Sequence, residues 1–292
     1  MPAHRSPSRP SAAARASEPP AAPITSKDNR WLKRFRAALA GESVEPNVIG
    51  IEGPHLLEEA LRSGVELLTV LASPAGEKHL ERLGLSSAAE TGPRLLRTSD
   101  RLFASVAGTE TPQGIAALAR LPEYGFEDLV RGIPLVVVLV GVQDPGNVGT
   151  LVRSAEAFGA TGLVAAAGSA SPLGPKALRA SAGSIFRLPV IIRAQPPVLL
   201  AQLRVAEVAL VATVAAESAL PGSAPLAPSQ ADLRGPVALL IGSEPHGLPD
   251  AIVRSADYAV RIPLEAPVDS LNAAVAASVL LYEAARQRST PR

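Results

Sequence analysis

The feature that most constrains this chain is a series of continuous apolar runs separated by helical patterns, beginning at residue 133. IPLVVVLVGV (133–142), TGLVAAAG (161–168), IFRLPVII (185–192), VALVATVA (208–215), VALLIGS (237–243) and YAVRIP (258–263) read as strands. A strand without polar–apolar alternation has both faces covered, which calls for helices on either side of a mostly parallel sheet. The composition agrees: 47% of residues are hydrophobic but only 3% aromatic, which suits branched aliphatic strands packed against Ala-rich helices. A helix is predicted from about 148 to 159. The last helix is predicted over 270–287, capped by Asp269 or Ser270, with Leu271, Val275, Val279 and Tyr282 along one face.

A length of 292 residues corresponds to about two domains. Upstream, 48–122 reads as a small α/β unit, with strands over 48–53, 65–73 and 114–121 and a helix over 55–64 that Gly64 stops. Residues 123–132 read as a linker, leaving 133–289 as the larger domain. Residues 1–26 are dominated by Pro, Ala, Ser and Arg; this composition cannot offset ordering entropy by burial, so a disordered tail is expected. In 27–36, KDNRWLKRFR, basic residues interleave with Trp31, Leu32 and Phe35. Two readings stand: a solvated helix face with Trp31 in the core, or cations beside rings placed for RNA.

A net charge of +1 gives no global cationic field, so any polyanion must be held by local basic patches. The chain has no cysteine, which removes disulfides, a thiol nucleophile and cysteine-based zinc sites. His4, His55, His79 and His246 are scattered without metal-ligand spacing. No apolar run approaches the roughly 20 residues that span a bilayer, and MPAHRSPSRP lacks the apolar stretch of a secretory signal. No membrane association and a cytoplasmic location are expected. The phosphate-binding G-x-x-x-x-G-K-[ST] loop, the G-x-G-x-x-G dinucleotide turn and the G-x-S-x-G nucleophile elbow do not occur.

Three polar segments follow predicted strands, on the edge where open α/β sheets place ligands. In DPGNVGTLVR (144–153), Asn147 both donates and accepts, and Arg153 lies one to two helical turns further, within reach of a phosphate. In IGSEPHG (241–247), two glycines bracket Glu244. In RIPLEAPVDSLN (261–272), small polar residues stand at a helix start, where backbone N–H groups are free. Taken singly, each is also an ordinary turn, loop or cap.

Together, DPGNVGTLVRSAEAFG, LLIGSEPHGL and RIPLEAPVDSLNAAVAASVLLYE resemble, in order and spacing, the SpoU (TrmH-type) RNA ribose methyltransferases of the SPOUT superfamily. IEGPHLLEEAL and TPQGIAAL are similar to the small ribosomal-protein-like substrate-binding domain often joined to them. The resemblance implies an α/β sheet whose C-terminal part forms a deep trefoil knot, and a homodimer. It implies S-adenosyl-L-methionine as methyl donor, held at Gly242, Ile262 and Leu271, with no metal. Asn147, Arg153, Glu244, Ser270 and Asn272 match the catalytic positions. The implied reaction is methylation of a ribose 2′-hydroxyl, with ribosomal RNA favoured and transfer RNA possible. The implied arginine is either general base or phosphate clamp; its high pKa favours the clamp. A knotted RNA-binding protein without activity, and a methyltransferase acting on a base nitrogen, are the competing readings.

Overall fold

The computed structural model describes residues 22–86, 92–214, 224–244 and 246–289, which fall into two compact units meeting at Leu121 and Pro122.

In the first unit, α1 (Arg30–Leu39), β1 (Val48–Glu52), α2 (Pro54–Arg62), β2 (Glu66–Ala72), α3 (Glu77–Arg82), β3 (Arg94–Arg97), α4 (Asp100–Ala104) and β4 (Ile115–Arg120) follow in order. The sheet order is β1-β4-β2-β3, with β4 antiparallel to both neighbours and β2 parallel to β3. The amphipathic α1 buries Leu32 and Phe35 against Leu71, Phe103 and Leu118. The strands expected at 48–53, 65–73 and 114–121 are present, whereas the four-residue β3, flanked by arginines, had no periodicity to reveal it.

The expected tail ends earlier than residue 27. Ile24 is buried, its N–H donates to Arg97 O at 2.7 Å, and its carbonyl accepts from the Thr98 hydroxyl at 3.0 Å. One apolar residue in a polar stretch gains enough from joining a preformed sheet edge to order its neighbours. Residues 1–21 of that tail lie outside the described residues.

The second unit contains α5 (Phe126–Leu129), β5 (Leu135–Val140), α6 (Pro145–Ala157), β6 (Gly162–Ala166), α7 (Pro175–Ser181), β7 (Val190–Ala194), α8 (Pro196–Val205), β8 (Ala209–Thr213), β9 (Val237–Gly242), α9 (Asp250–Val253), β10 (Tyr258–Val260) and α10 (Ala273–Ser289). Its six strands lie in the order β10-β8-β9-β5-β6-β7, and every pair is parallel, as the unalternating apolar runs require. All six residues of β5 and of β9 are buried. Full burial of each such Val or Leu is worth about 1.5–3 kcal/mol.

Two sequence expectations need correction here. The expected linker 123–132 belongs to the second unit, because α5 places Leu129 fully inside that core. The run 185–192 is not one strand: Ser184–Phe186 form a 3-10 turn, and the strand begins at Val190, after Pro189.

In an order of this kind the chain leaves β5 toward β6 on one side, while β9 packs on the other. The crevice outside the carboxyl ends of β5 and β9 is therefore the topological switch point. α10 spans the height of the sheet, about 25 Å for 17 residues. At its far end the Arg288 guanidinium donates to the carbonyls of Ile133, Pro134, Leu233 and Gly235. Its first turn is thereby delivered to the switch-point edge.

Candidate active site

The site is assembled from the three strand-following segments. The first starts with Asp144, whose carboxylate caps α6 by accepting from Asn147 N at 3.0 Å, with Pro145 in the first turn where no N–H is needed. The other Asp144 oxygen accepts from Lys176 Nζ at 3.0 Å. This Lys176 hydrogen bond, then the Asn147 amide, holds the Asp144 carboxyl below its usual range. The helix starts three residues earlier than expected because this cap lies at Asp144. One glycine of the motif serves packing alone. A Cβ on Gly149 would stand 2.3 Å from Ala177 O, so glycine is what lets α6 and α7 touch.

The second segment leaves β9 and folds straight back. Ser243 N donates to Gly247 O at 3.1 Å and Gly247 N to Ser243 O at 2.8 Å. A Cβ on Gly242 would fall 2.2 Å from the Gly247 carbonyl carbon and 2.4 Å from Leu248 N. Gly242 is thus demanded by the return of this loop, which presents Glu244 to solvent.

The third segment leaves β10 at the sheet edge and ends at Asn272, which bonds to Asn147 just beyond β5. Residues 261–272 therefore pass over the carboxyl ends of β8 and β9, about 14 Å at strand spacing. Among the described residues the N–H groups of Ile262, Leu264 and Leu271 have no acceptor, and their side chains are half-buried. Asn272, not Asp269 or Ser270, caps α10: its Oδ1 accepts from Ala274 N at 2.9 Å and Val275 N at 3.3 Å.

The three segments converge on one amide. Asn147 Nδ2 donates to Glu244 Oε1, and Asn147 Oδ1 accepts from Asn272 Nδ2 at 3.1 Å. The hydrogen bonds run in one direction, from the α10 N-terminus through Asn272 and Asn147 to the Glu244 carboxylate. Such a chain is polarised toward its anionic end. It fixes the ends of β5, β9 and α10 relative to one another.

Of the sequence-predicted residues, Asn147, Glu244 and Asn272 are joined directly. Gly242 and Leu271 are next to or two residues from members of the chain. Ser270 is exposed and outside it. Arg153 lies roughly 9 Å further along α6, exposed, with no hydrogen bond or ion pair among the described residues. An unengaged, exposed guanidinium on a helix face is a ready anion contact. Sequence reasoning passed over the Asp144–Lys176 pair, whose members are 32 residues apart. It also passed over the Ser278–Ser154 hydroxyl contact of 2.8 Å between α10 and α6.

Residues 134–282 match the model of the SpoU rRNA Methylase family. This chain belongs to that family. Residues 45–117 match the MRM3-like substrate binding domain, so the SpoU half and the upstream unit are both accounted for. The SpoU chain is 33% identical over 260 residues to the 23S rRNA (guanosine(2553)-2'-O)-methyltransferase RlmP of Bacillus subtilis, covering 89% of this chain and 97% of that protein. It is 33% identical over 247 residues to the 23S rRNA (guanosine-2'-O-)-methyltransferase RlmB of Xylella fastidiosa, covering 82% and 96%. The crystal structure of the SpoU methyltransferase AviRb from Streptomyces viridochromogenes in complex with AdoMet superposes with a TM-score of 0.78. The identity is 28%, over 90% of this chain and all of that one.

Proposed function

We propose that this chain transfers a methyl group from S-adenosylmethionine to the 2′-hydroxyl of a ribose in ribosomal RNA. The observation that carries the reading is the Asn272–Asn147–Glu244 chain, which gathers the three family segments at the switch point, with the exposed Arg153 further along the helix that carries Asn147. The relatives' names supply the reaction class and the RNA.

The residues fit such a donor. Free backbone N–H groups next to half-buried Ile262, Leu264 and Leu271 offer both hydrogen bonds and apolar surface. With the end of β9 at Gly242, they would hold it. Bound there, it supplies a methyl group already activated on sulfur.

The work left to the protein is orienting and deprotonating a weakly acidic hydroxyl. Arg153 grips the adjacent RNA phosphate and so places the 2′-hydroxyl, whose proton passes to a phosphate oxygen as the methyl group is transferred. Asn147 and Asn272 keep Glu244 and the α10 N-terminus in register around the crevice. Ser270, exposed two residues before the α10 cap, contacts the RNA. The passage of 261–272 across the sheet edge supports the trefoil knot that the family implies.

The chain acts as a homodimer on this reading. Val275, Val279 and Tyr282 of α10 are 50%, 39% and 57% exposed and, with Thr150, line a shallow apolar groove. A second copy covers it. No helix of the described residues is long and apolar enough to cross a membrane, and action on ribosomal RNA fits a cytoplasmic location.

The test is incubation of the protein and labelled S-adenosylmethionine with unmodified ribosomal RNA and with transfer RNA. Label in ribosomal RNA alone is expected; label in transfer RNA alone, or in neither, contradicts the proposal.

A further inference from the structure

The cap of α6 is tied to a second helix, and the function above leaves that tie unused. Lys176 stands in the first turn of α7, and its Nζ donates to Asp144 Oδ2 at 3.0 Å. The other oxygen, Oδ1, accepts from Asn147 N at 3.0 Å. Lys176 reaches this carboxylate past Gly146. A Cβ at 146 would lie 2.7 Å from Asp144 Oδ1 and 3.3 Å from Lys176 Cε, so a side chain there would take the space the pair uses. One turn on, Gly149 lies against Ala177 and Ala180. The two glycines let α7 come close enough for its lysine to meet the cap of α6.

Charge gives a reason for a cation at this point. Asn147 is bonded to two carboxylates, Asp144 through its backbone N–H and Glu244 through its side-chain amide. Two anions held on one residue repel each other. Among the described residues Lys176 is the only cation paired with either of them. Both side chains of the Asp144–Lys176 pair are about half exposed, so the pair adds little to stability. Its effect is on placement. A carboxylate bonded through both oxygens cannot turn without breaking one of the bonds, so the first turn of α6 is held against α7.

We propose that Lys176 is a positioning residue for methyl transfer: through Asp144 it keeps the first turn of α6, and with it Asn147, where Asn147 engages Glu244 and Asn272. This role rests on the function proposed above and adds α7 to the three segments that build the site. Lys176 acts through Asp144 and touches neither the donor nor the RNA.

Lys176→Met keeps the stem and removes the charge. Its kcat should fall about tenfold, within the loss that a small misplacement produces, with KM for RNA within about threefold and Tm within about 2 °C of wild type. Lys176→Arg, which offers the same carboxylate a charged donor, should return kcat to within about threefold of wild type. Asp144→Asn keeps a capping oxygen and removes the negative charge. In that background Lys176→Met should change kcat by less than about twofold, because the two residues act as one unit. With neither substrate present, the side-chain amide resonances of Asn147 in the full chain should shift in Lys176→Met and return in Lys176→Arg.

Additive losses in the double variant, or a raised KM with kcat kept, would place Lys176 on the RNA itself and overturn the proposal. An unmoved Asn147 resonance in a variant whose kcat has fallen would overturn it too, as would a lowered Tm with kcat kept. A shifted resonance in a protein that transfers no methyl group would leave the tie to α7 standing and sink the proposed function. Methyl transfer that is indifferent to Lys176→Met would do the reverse.

Discussion

Asn272 Nδ2 donates to Asn147 Oδ1 across 3.1 Å, tying the cap of α10 to the first turn of α6, residues 125 positions apart. Each asparagine works twice. Asn147 also holds Glu244, and Asn272 also caps its own helix.

The two duties of Asn272 separate by substitution. Asn272→Ser keeps a capping oxygen but is too short to reach Asn147. It should melt within a degree or two of wild type while methyl transfer falls at least tenfold. Asn272→Ala should lose the cap as well, about 1 kcal/mol, or roughly 2–4 °C in Tm. Equal activity in Asn272→Ser and wild type would show that the bridge is dispensable. Calorimetric melting and a filter assay measure both.

Among the described residues Arg153 makes no hydrogen bond or ion pair. Arg153→Ala should therefore melt like wild type and bind S-adenosylmethionine with unchanged Kd. Its methyl transfer should drop by about 10²–10⁴-fold, the range for losing acid–base assistance. Titration calorimetry with the donor and single-turnover kinetics with RNA check the two halves.

At Gly242, even one methyl group meets the backbone of Gly247 and Leu248. Gly242→Ala should push the 243–247 loop away from β9 and weaken donor binding by at least about tenfold, since 1.4 kcal/mol of lost loop placement already gives that factor. A normal donor Kd by calorimetry would mean that the donor does not sit at the end of β9.

The exposed α10 face gives a prediction about assembly. Val279→Glu with Tyr282→Glu places two charges in the apolar groove, away from the buried residues Ala277, Leu280 and Leu281. Light scattering after size exclusion should change from dimer to monomer while the far-ultraviolet dichroism is kept. A wild-type monomer would contradict the homodimer.

Acid should loosen the far end of the same helix. Glu283 accepts from Arg286 at 2.7 and 2.8 Å and from Gln287 at 2.9 Å. The Arg286 bond, the largest cause, holds its carboxyl down to about 2 against the opposing effect of burial, with the Gln287 bond adding to the lowering. A depressed carboxyl contributes stability that is present above its unfolded value of 4.5 and is lost as pH falls toward about 2. The Tm of wild type should fall more steeply from pH 5 to pH 2.5 than that of Glu283→Gln, as followed by calorimetry.

Much of this was legible in the sequence because it depends on long apolar runs. β5 and β9 are continuous apolar runs separated by helical patterns, the signature of a parallel sheet covered on both faces. Asn147 and Glu244 were legible because they follow such strands directly. The cap of α10 was not, since Asp269, Ser270 and Asn272 all carry capping oxygens and only the neighbouring chain selects among them. Val275, Val279 and Tyr282 share a helical face as a core stripe would, yet small Ala273, Ala274 and Ala277 line the buried side. Periodicity marks an apolar face without saying what covers it. Leu129 was lost in a stretch that reads as linker, because four helical residues carry no measurable period.

The central claim is that the methyl group arrives on a ribose oxygen, and the digestion product tests it most directly. Ribosomal RNA labelled by the enzyme from methyl-tritiated S-adenosylmethionine is hydrolysed with alkali, which cleaves only next to a free 2′-hydroxyl. Label is expected in alkali-resistant dinucleotides and should be abolished in Arg153→Ala. Label recovered in mononucleotides, on the base, would contradict it.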